Sequence, residues 1–183
     1  ERYNVPCFSS SSLRYTDLAM GIHDNPKVGE VLGCTQHSPC PIEPHHPDFF
    51  WYGVHGVEPL FAIMGSGCQT VTRVHTDGTD VAVGVWKDGR IGTFRGIRQS
   101  RRGYGSTVFG SAGIVQDVGF DGYESLIIEI VRFFKTGKPP VTAEETLEIF
   151  AFMEAADESK RQGGRPIALE TVMTKARMAV SSK

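Results

Sequence analysis

The sequence is short of several things that would announce a function. It has no Gly-x-Gly-x-x-Gly after a strand and no Gly-x-x-x-x-Gly-Lys-Ser/Thr loop, so no phosphate cradle of either common kind is encoded. Gly65-Ser66-Gly67 comes nearest, but it is expected to follow a helix and precede a strand, the wrong order for a dinucleotide site. No nucleophile elbow with Ser, Asp and His in hydrolase order occurs. No apolar run approaches the ~18 residues of a membrane span. Cysteine is scarce at 4 in 183 residues, too few for a disulfide framework, so reduced thiols are expected. Charge of either sign is not in excess: the formal net charge is −2, which gives no bulk attraction to nucleic acid or to a membrane surface.

What remains is the composition of one sizeable globular domain, 40% hydrophobic and 22% charged. The chain opens on Glu1 rather than Met and reads as the body of something longer, with the cytoplasm as the default expectation.

The most informative stretch runs from Asp48 to Gly65. Phe50, Val54, Val57, Phe61 and Met64 fall at 4-3-4-3 spacing, one face of a helix. Asp48 is placed to cap its start and Gly65 to end it. His55 lies off the stripe, in line with Trp51, Tyr52 and Glu58. Gly53 and Gly56 flank it, and Pro59 has no N–H for the carbonyl of His55, so a kink is expected there. A helix weakened at three points around one histidine fits a ligand docking against it, with His55 moving a proton near neutral pH. It fits equally a core histidine, with glycines that let the helix approach a sheet.

Before this helix, residues 27–36 read as a strand built on Val28, Val31 and Leu32. A proline-rich loop then holds Cys34, His37, Cys40, His45 and His46. Cys34, His37, Cys40 and His45 are residue types that zinc prefers, but the spacing matches no zinc signature, and no metal is expected. The loop is better read as lining a cleft, where His45 or His46 hydrogen-bonds a hydroxylated ligand.

From residue 68 to about 119 the chain is strand-rich. Asp77-Gly78 and Asp88-Gly89 are hairpin signals, and Val81, Val83 and Val85 alternate with Ala82, Gly84 and Trp86. An antiparallel meander follows, with amphipathic helices over 123–135 and 142–162 packed on one face and a further helix near 168–180. The opposite face is apolar enough to take a second copy of the chain. The basic run Arg90, Arg95, Arg98, Arg101 and Arg102 reads as solvated or interfacial, with anion binding by Arg95 the other possibility.

Trp51-Tyr52-Gly53-Val54-His55-Gly56-Val57-Glu58-Pro59 resembles the helix that carries the active-site histidine in the Gfo/Idh/MocA family of NAD(P)-dependent oxidoreductases. Gly53 and His55 match the family's Asp-x-Gly-x-His pattern, with Trp51 in the place of the Asp. The resemblance extends from Val5 to about Ile167 and concerns the C-terminal half of that architecture. It implies an α+β fold with a mostly antiparallel open sheet and helices on one face. Residues 1–15 would be the last strand, Val5–Phe8, and exit turn of an N-terminal Rossmann domain that is missing here. Residues 16–183 would be the substrate-binding and oligomerisation domain.

It further implies that His55 and Tyr52 are catalytic and that Arg14, Trp51, His45, His46 and Arg95 meet a sugar or cyclitol. Arg14 would also lie near the nicotinamide. NAD or NADP would be bound mainly by the missing domain, since the family's Glu-Lys-Pro motif is absent too. The intact protein would be an oxidoreductase that forms a homodimer or larger homo-oligomer through the sheet, and these 183 residues alone would be inactive. The alternative from the same lineage is a non-catalytic carbohydrate-binding or oligomerisation module. It is motivated by Trp51, whose indole stacks on a sugar face but does not relay a proton as a carboxylate does.

Overall fold

The computed structural model describes residues 5–99 and 103–181. Among these, seven strands form one sheet: β1 (Val31–Pro39), β2 (Cys68–His75), β3 (Thr79–Trp86), β4 (Ile91–Ile97), β5 (Gly105–Gly110), β6 (Ile114–Val118) and the short β7 (Ile167–Ala168). Their order is β6-β5-β1-β4-β3-β2-β7. The helices are α1 (Asp17–Gly21), α2 (Asp48–Trp51), α3 (Val54–Met64), α4 (Glu124–Thr136), α5 (Ala143–Arg161) and α6 (Leu169–Ser181). The fold is α+β with a mostly antiparallel open sheet. No helix among the described residues is long and apolar enough to cross a membrane.

The period-two pattern on β3 sorts the two faces. Ala82 and Trp86 point to the helical layer and are buried, whereas Val85 is exposed on the other side. Neighbours in register keep the same sorting: Ala82 lies beside Phe94, and Val81 beside Arg95. The core is therefore the seam between this face and helices α3 and α5. Phe61 meets both Trp86 (5.5 Å) and Phe152 (5.7 Å), and all three rings are almost completely buried. Burial of each such side chain stabilises the fold by about 1.5–3 kcal/mol.

Both Asp-Gly signals do form the β2–β3 and β3–β4 turns, and β5 and β6 make a further antiparallel pair. The meander is nevertheless interrupted. β1 lies between β4 and β5, parallel to β4 and antiparallel to β5. It begins at Val31 rather than Lys27 and runs on through His37, so Cys34 and His37 belong to the strand and the loop starts at Cys40. Leu32 is 53% exposed beside a register shift between Val31 and Gly33. A strand that buries Cys34, Gln36 and Ser38 on one side needs partners on both edges, and the centre of the sheet supplies them.

The helix expected over 48–64 is broken in two. The break falls at Tyr52–Gly53, and Pro59 sits inside α3. Asp48 does not cap α2, whose N-cap is Pro47; its carboxylate is held by Arg73 of β2 (3.1 Å) and Lys160 of α5 (2.9 Å). A Cβ on Gly56 would lie 2.2 Å from Phe94 and 2.7 Å from Ser38 Oγ, so α3 is pinned separately to the sheet. The close approach at Gly56 thus belongs to helix–sheet packing. Gly65 ends α3 as expected, with φ 70° and its N–H donated to the Phe61 carbonyl.

Helix α5 starts at the cap formed by Thr142, whose Oγ1 accepts from Glu145 N–H at 3.1 Å, and it packs across β2. Helix α4, expected on the sheet, packs instead against a 3-10 turn at Ser12–Tyr15. Phe133 meets Phe8 edge-on at 5.0 Å. Ile127, Ile128, Val131 and Phe134 stay exposed because α3 and α5 already cover the sheet. Val5–Phe8, expected as a strand of the missing domain, has no regular structure within these residues, and the part of it that packs is Phe8, on Phe133.

A candidate ligand site around His55

His55 opens the first turn of α3. Its Nδ1 lies 2.9 Å from Ser11 Oγ, and Nε2 has no hydrogen-bond partner among the described residues. The Tyr52 ring stands edge-on to the imidazole, with centroids 4.9 Å apart. Tyr52 and Tyr104 share a hydroxyl–hydroxyl hydrogen bond of 2.9 Å, and the Tyr104 ring continues through Phe120 to Tyr123. Burial lowers the pKa of His55 from 6.5, so the ring is neutral at neutral pH. Burial, reinforced by the Tyr52 hydroxyl, pushes Tyr104 up to about 12. The result is a half-buried patch of neutral imidazole and phenols with hydrogen-bonding capacity to spare.

Glu58 sits one turn further along α3 and is 1% exposed. Arg14, on the 3-10 turn, reaches Glu58 at 3.4 Å and also pairs with Glu145 of α5. Burial nevertheless raises Glu58 to about 7 against the pull of Arg14, whose charge is shared between two carboxylates. The same turn begins at Ser11, whose Oγ accepts from Leu13 N–H at 3.3 Å. One short segment thus grips α3 twice, through Ser11 and through Arg14.

The other residues singled out in the sequence scatter. Trp51 is 45% exposed at the end of α2, with its ring 4.6 Å from that of His46. His45 is exposed in the loop before α2. Arg95 alternates with Phe94 and projects from the opposite face of the sheet, beside Thr79, Ile97 and Gln99. Arg14 is committed to two carboxylates. Arg90 donates to the Met64 carbonyl and pairs with Asp88, Arg98 pairs with Asp80, and Arg101 and Arg102 lie outside the described residues.

Cys34 and Cys40 are core residues whose thiols burial pushes up to about 12, far from the thiolate that a metal needs. His37 faces the other side of the sheet beside Arg95. Among the described residues no group of three or more His, Cys, Asp or Glu is arranged to hold an ion. The Gly65–Gly67 turn does not form a dinucleotide cradle either. Gly65–Gly67 links α3 to β2, and the N–H groups of Gly67 and Cys68 both donate to Glu148 Oε1, at 2.6 and 2.7 Å.

A second polar cluster was invisible in the sequence. Arg73 of β2, with its side chain fully buried, pairs with Asp80 (2.8 Å), Asp157 (2.6 Å) and Asp48 (3.1 Å), and lies 3.8 Å over the Phe49 ring. Asp80 also takes His75 (2.7 Å) and Arg98. Hydrogen bonds from these cations outweigh burial at Asp48 and Asp80 and lower both carboxyls. At Asp157 burial, with the Asp48 charge beside it, wins and raises the carboxyl to about 7. Ser11, Tyr104 and the Arg73 cluster carried no sequence signal, since each depends on pairing between residues far apart in the chain. Glu58 had one, its place a turn beyond His55.

No model of a protein family matches the sequence, and neither does any curated protein. Solved structures do match in fold. A myo-inositol 2-dehydrogenase from Lactobacillus plantarum superimposes with a TM-score of 0.71 at 17% identity, over 88% of this chain and 64% of that one. A scyllo-inositol dehydrogenase from Lactobacillus casei, solved with NAD(H) and scyllo-inositol, gives 0.67 at 12% identity over 88% of this chain and 62% of its own. A myo-inositol dehydrogenase from the same organism, in complex with NAD(H) and myo-inositol, gives 0.66 at 12% over 87% and 61%. The chain therefore spans somewhat less than two thirds of the length of these enzymes. It shares the α+β fold of the part of these inositol dehydrogenases that it covers.

Proposed function

We propose that these residues form the substrate-binding part of an NAD(P)-dependent oxidoreductase acting on a cyclitol, sugar or related polyol. The observation that carries this reading is the unpartnered Nε2 of a neutral His55 beside the Tyr52–Tyr104 hydroxyl pair, on a fold shared with inositol dehydrogenases. The nicotinamide supplies or accepts the hydride and is held outside these residues. His55 and Tyr52 meet the reacting oxygen, hold it in place and steady the charge that develops on it. Arg14 is the group nearest in kind to a cofactor contact, but its two ion pairs favour a role in docking residues 11–15. Alone, the chain is expected to bind polyol without turning it over. In the protein joined to a dinucleotide-binding part, His55→Ala should lower kcat with inositol about 10²–10⁴-fold at a nearly unchanged unfolding midpoint. An unchanged rate would remove His55 from the chemistry.

A second reading has its own observation. Trp51 is 45% exposed and set against His46 with the two rings tilted by 45°, an aromatic platform suited to a sugar face in a purely binding module. Here Trp51→Ala should weaken inositol binding up to about tenfold, while no nicotinamide-dependent turnover is found.

The open sheet face supports assembly with a second copy. Val74, Val85, Ile91, Phe109 and Ile114 are exposed on it. Sedimentation should show a dimer or larger species that Ile91→Lys dissociates; a wild-type monomer at micromolar concentration would count against this.

A further inference from the structure

The Ser11–His55 contact can be taken one step beyond the proposed function, on which its mechanistic meaning rests. Ser11 is 6% exposed, so its hydroxyl hydrogen needs an acceptor within the protein. Two groups lie against Oγ: the N–H of Leu13, a donor, and His55 Nδ1. A backbone N–H takes no hydrogen bond. The single acceptor available to the hydroxyl among the described residues is therefore Nδ1.

We propose that Ser11 is a positioning residue that donates its hydroxyl hydrogen to Nδ1 and thereby fixes neutral His55 as the tautomer with hydrogen on Nε2. Nε2 then faces the ligand as a hydrogen-bond donor. Its natural partner is an oxygen acceptor, the hydroxyl or carbonyl oxygen of a polyol or its ketone. In this state His55 does not take a proton at Nε2; it holds the reacting oxygen and stabilises negative charge that develops there. The lowered pKa of His55 agrees, because burial keeps the ring neutral at neutral pH.

Two grips keep Ser11 in place. Its Oγ caps the 3-10 turn through Leu13, and Arg14 in that turn is tied to Glu58, one turn beyond His55 on the same helix. The hydroxyl is therefore set by the same packing that orders α3, and the tautomer is chosen before any ligand arrives.

The test is nitrogen-15 NMR of the histidine rings in the labelled protein at pH 8, with His55 assigned by the signals lost in His55→Asn. The expected result is an unprotonated, hydrogen-bonded Nδ1 and a protonated Nε2. Ser11→Thr keeps the hydroxyl and should keep this pattern. Ser11→Asp keeps the cap acceptor but has no hydrogen at this pH, so it should move the proton to Nδ1. A protonated Nδ1 in the wild type overturns the proposal, as does a pattern unchanged in Ser11→Asp. If Ser11→Asp fails to fold, the wild-type and Ser11→Thr spectra decide on their own.

The rate of the joined enzyme adds a second arm. Asn retains an N–H donor, so His55→Asn should keep at least tenfold more of kcat than His55→Ala; equal losses overturn the donor role. Absence of any polyol oxidation with the Nε2–H pattern intact would strike the functional reading and leave the Ser11 assignment standing.

Discussion

Two polar clusters lie on the helical side of one sheet, joined by the four residues of α2. At its first residue Asp48 belongs to the Arg73 cluster; just beyond its last, Tyr52 belongs to the patch around His55. The Arg73 cluster consists of charges that answer one another around a fully buried guanidinium. The His55 patch consists of neutral donors and acceptors, half-exposed, with bonding capacity left over. The charges of the Arg73 cluster are committed to one another, apart from Asp48 Oδ1 and Arg73 Nη2, which are buried without a hydrogen-bond partner among the described residues, and their arrangement serves packing specificity. Half-buried neutral groups with a free edge are what a hydroxylated ligand can use. The weakest element of the layer, α2, lies between them, and each cluster holds one of its ends.

The most forceful way to break this contrast is to remove the central cation. Arg73→Met leaves Asp48, Asp80 and Asp157 without the guanidinium they share. Loss of one partner from a buried ionic group typically costs about 3–5 kcal/mol, and a loss of that size should appear as a lower urea midpoint. Polyol binding should fall only in proportion to the unfolded fraction. A loss below about 1 kcal/mol would mean that the cluster contributes little to the fold.

A smaller effect should appear with pH, because each cluster holds one carboxyl near 7. Burial raises Glu58 and Asp157 above the ordinary carboxyl range in the folded state. Their contribution to stability is then fully present below the unfolded carboxyl value and is lost as pH rises through about 7. The slope is up to about 1.4 kcal/mol per pH unit for each group. Asp48 and Asp80 are lowered, so they act in the opposite sense, at pH below the ordinary carboxyl value. His55 and His37, also lowered, oppose the trend below 6.5. Thermal midpoints between pH 5 and 8 should fall less steeply for Glu58→Gln and for Asp157→Asn than for the parent. Gln at 58 still accepts from Arg14. If only one variant flattens the curve, the clusters differ in titration as well as in exposure.

The legibility of the sequence follows the same division. Periodicity exposed β3, the two Asp-Gly turns, the α5 cap and the end of α3 at Gly65, because each is decided within a few residues. The insertion of β1 between β4 and β5 was not legible, since a strand's partners are chosen across the whole sheet. Pro59 pointed to a kink that the structure places at Tyr52–Gly53, where the ties of Asp48 to α5 and of Gly56 to the sheet pull apart. The amphipathic pattern of α4 was real, but a pattern does not say which surface is still free. At the candidate site, His55 and Tyr52 were singled out in the sequence, and the structure sets their rings against each other. Ser11 was one of four consecutive serines, and only the folded chain singles it out.

The smallest expected effect discriminates within the His55 patch itself. Tyr52 and Tyr104 share one hydrogen bond between neutral hydroxyls, worth about 1 kcal/mol in stability. Tyr104→Phe and Tyr52→Phe remove the same bond, so their stability losses should agree. Tyr52 stands against the imidazole, whereas Tyr104 leans back on Phe120. If the ligand sits at Nε2, the Tyr52 hydroxyl is the one beside it, and half-exposure lets water replace the partner lost in Tyr104→Phe. Calorimetric titration with inositol should then show a weaker affinity for Tyr52→Phe than for Tyr104→Phe, by about 1 kcal/mol, roughly a fivefold difference in Kd. The reverse order would move the ligand to the Tyr104–Phe120–Tyr123 end of the aromatic row and away from His55.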